Sequence, residues 1–297
     1  VAVAYVLATV WLWSLIPLAV KVADDSFSGG FIGFVRLLFG MCFFAVWELT
    51  TRRSLRLPAA APGPRGVGPR LWIIVAGLGI GGDLVLYAVG LRYTTASAAT
   101  LIVSTDGIML ALLGVVVLRE RMSGLKTAAG LAALTGLVLV GWSGQSVVGL
   151  LASKHSLGNV IVLLAGCCWA TYGLGQRVLA GAAGGSLFWI FLVGAAMGAT
   201  VAFSAPITHA PITAKAVGAL LYLGLGGTGL AYVLLVRGMA RLEAATVGVV
   251  SSTLPIFTMI QAHYWLGEAI TPYLLAGAVL VMAGVTLILR HQRVYGE

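Results

Sequence analysis

Residues 96–118 read ASAATLIVSTDGIMLALLGVVVL, and residues 244–266 read AATVGVVSSTLPIFTMIQAHYWL. Each run is apolar throughout, and each is followed two positions later by a glutamate, Glu120 and Glu268. A bilayer core about 30 Å thick takes about 20 apolar residues per helix, so each run reads as one membrane span. A shift of 148 positions lays one run on the other. It pairs Ser104-Thr105 with Ser252-Thr253, Ile108 with Ile256, Ala128 with Ala276, Gly136 with Gly284, and Glu120 with Glu268. Near the start of each half, Trp13 and Lys21 recur as Trp169 and Arg177 at the same spacing of eight. Chance agreement is the competing explanation in a chain made mostly of Ala, Gly, Leu and Val. It accounts poorly for matches among Trp, Glu and basic residues, which are rare letters here.

Working outward, apolar runs between polar punctuation predict spans at 1–20, 30–49, 71–91, 96–118 and 125–142, then at 157–174, 186–203, 214–236, 244–266 and 272–289. The expected fold is an all-α membrane protein of ten transmembrane helices in two inverted five-helix repeats. The first repeat covers 1–142, a connecting loop 143–156, and the second repeat with a short cytoplasmic tail 157–297. Five helices per half is an odd number, so the halves must cross the membrane in opposite senses. Such repeats are frequent in secondary transporters, whose substrate sites lie near the midplane at the repeat interface. The opening apolar run carries neither a charged leader nor a small-residue cleavage site and reads as the first span, not as a signal peptide.

Composition agrees with lipid as the solvent. Sixty per cent of the 297 residues are hydrophobic, 9% are charged, and the mean hydropathy is +1.04; a soluble domain carries roughly 25% charged residues. The 40 glycines suit membrane helices, where small residues permit close approach. Cys42, Cys167 and Cys168 fall inside apolar runs, which favours neither a disulfide framework nor a zinc site. The net charge of +9 does not form a basic stripe with interleaved aromatics, so no nucleic-acid partner is expected. Lys and Arg near span ends favour the cytoplasm. With the N-terminus inside, thirteen of the eighteen basic residues fall in inner segments and four, Lys21, Arg92, Lys154 and Lys215, in outer ones, Arg36 being intramembrane. Both termini and the proline-rich 50–70 loop are therefore expected in the cytoplasm.

The residues Trp11-Leu12-Trp13-Ser14 and Lys21, Phe34-Val35-Arg36-Leu37, Gly90-Leu91-Arg92-Tyr93-Thr94-Thr95-Ala96, and Leu254-Pro255-Ile256 leading to Leu266-Gly267-Glu268 resemble the drug/metabolite transporter superfamily of the ten-helix EamA type. The likeness spans nearly the whole chain. Gly107-Ile108 departs from it where the second half has Pro255-Ile256, although glycine also permits a bend. Within the superfamily the chain most resembles the bacterial aromatic amino acid exporters of the YddG type, through aromatic residues on cavity helices. The resemblance implies a basket of helices around a central cavity, with the fifth and tenth helices packed peripherally, in the bacterial inner membrane.

Ionisable groups deep in a span are costly and mark aqueous paths or helix contacts. Asp83 follows Gly79-Ile80-Gly81-Gly82, Asp106 lies midway along its span, and Arg36 lies in the outer half of the second. A carboxylate there could bind a substrate ammonium or exchange a proton, which makes proton coupling one candidate driving force; the alternative is a buried structural pair of Arg36 with either Asp. Trp13 and Trp169 are equivalent in the two halves, Tyr87 is one turn beyond Asp83, Tyr172 is three residues after Trp169, and Tyr232 is central in its span. These offer flat apolar surfaces and cation–π faces; Trp142, Tyr264 and Trp265 fit interfacial anchors instead. Ser252 could meet one end of a zwitterion. Pro17, Gly107 and Pro255 are hinge candidates, or static kinks. Gln261 and His263 read as rim residues.

Enzyme motifs fail. Gly141-Trp142-Ser143-Gly144 matches the G-x-S-G of rhomboid proteases but has no placed histidine base. Asp83 and Asp106 lack the Gly-x-Gly-Asp and Tyr-Asp of intramembrane aspartyl proteases, and no P-loop occurs. No catalytic residue, metal or cofactor is expected. The expected partners are the lipid bilayer and a small-molecule substrate, with aromatic or hydrophobic amino acids first. The competing functions are export of drugs or other metabolites on the same fold, and a passive channel.

Overall fold

The computed structural model describes residues 2–50, 68–118, 124–142, 154–179, 186–239, 241–242, 247 and 250–295. Among them every extended element is helical; an isolated antiparallel bridge joins Phe27 to Thr208. Most of the 50–70 loop, Glu120, Ser143 and Gly144 lie outside the described residues.

In chain order the α-helices are α1 (Ala2–Ser14), α2 (Ile16–Asp24), α3 (Gly29–Thr50), α4 (Pro69–Leu91), α5 (Ala96–Val103), α6 (Asp106–Leu113), α7 (Gly124–Trp142), α8 (Lys154–Leu179), α9 (Ser186–Ala202), α10 (Ala214–Leu221), α11 (Ala231–Met239), α12 (Leu254–Leu266) and α13 (Pro272–Tyr295). Wider π-helical turns follow α6 at Gly114–Leu118 and join α10 to α11 at Tyr222–Leu230. Among the described residues, six helical stretches are long and apolar enough to cross a membrane: Ala2–Asp24, Gly29–Thr50, Pro69–Leu91, Ala96–Val117, Lys154–Leu179 and Ala214–Leu235. The chain is thus a multi-pass, all-helical membrane protein.

Several spans outrun their expected limits. Helix α8 continues past Leu174 through Gln176 and Arg177, and it begins at Lys154, inside the expected 143–156 connection. Polar side chains end an apolar run but not a hydrogen-bonded backbone, and a long basic side chain can reach the headgroup layer from within a helix.

Small residues set the helix spacing. A Cβ added at Gly33 of α3 would stand 2.7 Å from the Val85 Cα of α4. One at Gly79 would stand 2.7 Å from the Tyr172 nitrogen of α8, and one at Gly158 would stand 2.7 Å from the Tyr93 carbonyl carbon. Helices α3, α4 and α8 therefore pack backbone to backbone, which side chains larger than hydrogen would forbid. At Gly136 an added Cβ would stand 2.7 Å from Gly277 O, which brings α7 against α13.

The prolines expected inside helices instead open new segments. Leu15 breaks the first rod, and Pro17 lies in the first turn of α2; Ser252-Thr253 breaks the chain ahead of α12, and Pro255 lies in that helix's first turn. A first-turn nitrogen has no intrahelical acceptor, so proline is well tolerated there. In residues 96–118 the break falls at Ser104-Thr105, ahead of the expected Gly107, which is already helical. The two breaks share one hydrogen-bond pattern. Thr105 Oγ1 donates to Ile102 O at 2.7 Å, and Thr253 Oγ1 donates to Val250 O at 2.7 Å, with Ile108 N to Thr105 O at 2.9 Å matched by Ile256 N to Thr253 O at 3.0 Å. Threonine supplies a side-chain donor that competes with the regular ladder and bends it.

One end of the bundle is tied by complementary clasps. Lys21 Nζ donates to Leu91 O at 3.0 Å and Thr94 O at 2.8 Å, at the C-terminus of α4. The Glu268 carboxylate accepts from Ala96 N at 2.6 Å, Ser97 N at 3.0 Å and Ser97 Oγ at 2.8 Å, at the N-terminus of α5. A cation meets a helix C-terminus and an anion a helix N-terminus, both favoured by the helix dipole. Glu268 reaches α5 because Gly267 adopts a left-handed φ of 68° and turns the chain back, Glu268 N bonding Ala262 O at 3.2 Å.

Candidate functional site

A cavity of about 320 Å³ lies where the helix breaks, α3, α4, α8 and the π-helical turn converge. Its wall includes Trp13, Arg36, Asp83, Tyr87, Asp106, Trp169, Tyr232 and Ser252. Seven of the eight expected substrate contacts thus share one cavity, with Arg36 added.

Each is placed by its element. Helix α4 carries Asp83 and Tyr87 on one face, both buried, because one helical turn separates them. Gly33, one turn before Arg36, lets α3 approach the backbone of α4 at Leu84 and Val85, next to Asp83. Arg36 and Asp83 therefore come from facing helices. They lie within electrostatic reach, yet no N···O approach within 4.0 Å joins them. The buried ion pair considered for them is not formed. Asp106 begins α6 immediately after the Ser104-Thr105 break and also lies within electrostatic reach of Asp83. Ser251, Ser252 and Leu254 reach the cavity from the second break. Both breaks thus deliver a short helix's N-terminus and its polar side chains to the cavity wall.

The aromatic lining is keyed to the backbone. Trp13 Nε1 donates to Gly227 O at 3.1 Å, using a carbonyl within the π-helical turn, and its ring meets Tyr232 edge-on at 5.9 Å. Tyr232 also contacts Phe44 at 5.7 Å and Phe191 at 6.3 Å. Trp169 lines the same cavity from α8.

Tyr172 is not at the wall. It is buried behind Trp169, ring to ring at 5.2 Å, and its hydroxyl accepts from Gln176 Nε2 at 3.0 Å. Its position three residues from Trp169 turns it toward α4, where Gly79 makes room for its backbone. Gln261, expected at the rim, is instead 5% exposed, and both its amide atoms lack a hydrogen-bond partner. His263 is exposed, with Nδ1 2.9 Å from Glu268 O. Tyr264 and Trp265 are 78% and 63% exposed, as anchors at the membrane surface would be. The α13 residues Val281 and Met282 reach the cavity, so the last helix is not wholly peripheral.

Thr100, Phe191 and Thr228 also line the cavity without having been singled out. Thr100 could have been found, since it is one turn before Ser104. The Gly224–Gly229 run carrying Thr228 signals an irregular helix, whereas nothing in the sequence distinguishes Phe191 from other packed phenylalanines.

The sequence model of the EamA-like transporter family matches residues 1–142 and 156–290. The chain is 28% identical to an uncharacterized transporter of Archaeoglobus fulgidus, over 94% of this chain and 93% of that protein. It is 23% identical to the uncharacterized inner membrane transporter YhbE of Escherichia coli, over 98% of this chain and 91% of that one. A probable terminal-alkyne amino-acid exporter of Streptantibioticus cattleyicolor is 27% identical over 78% of this chain and 79% of its own. A chain of known crystal structure superposes on 99% of this chain and 98% of itself with a TM-score of 0.65 at 19% identity, a likeness of fold.

Proposed function

Because the chain belongs to the EamA-like transporter family, we propose that this membrane transporter exports aromatic and other hydrophobic amino acids across the bacterial plasma membrane. The observation that carries the reading is the single cavity in which Asp83 and Asp106 stand among Trp13, Trp169, Tyr87 and Tyr232. An apolar side chain would lie on the rings, while its ammonium would meet Asp83. Serine hydroxyls and backbone at the two breaks offer further polar contacts. The amino-acid exporter among the relatives supports the substrate class.

Ten crossings in two inverted halves supply the mechanism. The separate family matches at 1–142 and 156–290, and the Thr105 and Thr253 hydrogen bonds 148 residues apart, support that arrangement. Rocking of the halves around the cavity would alternate its access between the two faces, with Pro17 and Pro255 at segment starts able to flex. Both termini would face the cytoplasm, in keeping with the distribution of Lys and Arg.

Purified protein in proteoliposomes should accumulate labelled phenylalanine or tryptophan by exchange, with unlabelled hydrophobic amino acids competing. Comparing transport with and without an imposed pH gradient tests proton coupling. Strong competition by lysine or glutamate, with none by phenylalanine, would refute the substrate class and leave the transporter family standing.

A further inference from the structure

Arg36 is 5% exposed, lines the cavity, and its Nε has no hydrogen-bond partner. A guanidinium carries five N–H donors and stays protonated. Within a membrane span such a group is normally paired or turned to a water-filled path. Here the Asp83 carboxylate is close enough to act on it but does not form an ion pair with it. A cation is therefore held at the cavity wall with donors left over, opposite an acidic side chain on the facing helix.

We propose that Arg36 binds the carboxylate of the transported molecule, so that the site selects carboxylic acids and takes amino acids as zwitterions, carboxylate on Arg36 and ammonium on Asp83. The inference rests on the transport reading above and deepens it. A guanidinium matches a carboxylate with two parallel N–H···O bonds, a geometry that lysine cannot reproduce. A zwitterion adds no net charge to the cavity, which suits a lining that is mostly apolar and already holds a second carboxylate, Asp106. The same chemistry separates amino acids from cationic drugs: an amine lacking a carboxylate would leave the Arg36 donors unmet, and a site built to hydrogen-bond a group discriminates strongly against analogues without it.

The test is equilibrium binding to the purified full chain, using phenylalanine and phenylalaninamide, leucine and leucinamide, and 3-phenylpropionate. Wild-type protein should bind each acid at least about tenfold more tightly than its amide, and 3-phenylpropionate should retain measurable affinity. Arg36→Lys should lose about tenfold or more for the acids and little for the amides, which collapses the discrimination; Arg36→Met should abolish it. A purely structural Arg36 would weaken acids and amides by the same factor, and that result overturns the assignment. Equal binding of acid and amide to wild-type protein, a comparison that needs no variant, overturns it as well, as does failure of every acid to bind. Discrimination within the leucine pair with no binding of phenylalanine would uphold Arg36 and refute the aromatic preference.

Discussion

Replacing Glu268 with alanine should loosen the end of the bundle that its carboxylate closes. The side chain accepts three hydrogen bonds, from Ala96 N at 2.6 Å, Ser97 N at 3.0 Å and Ser97 Oγ at 2.8 Å. A hydrogen bond to a charged group contributes about 1.5–3 kcal/mol. The three share one side chain and are only part-buried, so water recovers some of the loss when it is removed. The helix-dipole contribution at α5 is about 0.3–1 kcal/mol. Thr95 remains as the N-cap, accepting from Ala98 N, while loss of a capping-type acceptor for the other first-turn N–H groups costs about 0.5–2 kcal/mol. These effects overlap, and together they place the loss at about 2–4 kcal/mol. Glu268→Gln keeps an acceptor oxygen without the charge and should lose about half as much. Two measurements check this: thermal unfolding in detergent, and hydrogen exchange at the Ala96 and Ser97 amides, which should speed up by about thirtyfold or more. Lys215, exposed next to the N-terminus of α10, is the control site, and Lys215→Ala should melt like the parent. If Glu268→Ala melts with the parent and the Ala96 and Ser97 amides stay protected, the clasp does not hold the two segments together.

Other positions give sharper contrasts. Gly79→Ala should cost about 1–3 kcal/mol of stability through overpacking, because its Cβ would meet Tyr172 N at 2.7 Å and Cys168 O at 2.8 Å, whereas Gly218→Ala, with nothing within 4 Å, should be neutral or slightly stabilising in the same melt. Trp169→Ala should weaken phenylalanine and tryptophan transport in proteoliposomes more than alanine transport; equal losses would deny the ring a role in selectivity. Asp83→Asn should insert and purify normally while transport falls, and full transport across the pH range would remove Asp83 from the mechanism. In a background without the native cysteines, Ser156→Cys should react with an impermeant reagent on intact spheroplasts and Ser54→Cys should not; the opposite pattern reverses the orientation.

Membrane residence and the run of helices were legible from residues 96–118 and 244–266, because in lipid every backbone polar group must be satisfied within its own segment, and helix formation is then forced by local composition. The expected spans taken together showed which rare letters lie deep in the membrane, and so Asp83, Tyr87, Asp106, Trp13 and Trp169 could be chosen as cavity residues. Helix facing was another matter. Tyr172 and Trp169 lie within one turn of each other, yet only the approach of α8 to Gly79 determines that Trp169 meets the cavity and Tyr172 is buried behind it. Gln261 looked like a rim residue by depth along its helix, but is buried by its neighbours. The position of a helix break depends on which side chain bonds back to the ladder, so Ser104-Thr105 bends the chain where composition pointed to Gly107. Arg36 illustrates the division most clearly. Sequence placed a cation in the membrane and left it between structural pairing and function; the relative placement of α3 and α4, set by a glycine contact between distant stretches of chain, put it on the cavity wall without an ion pair to Asp83.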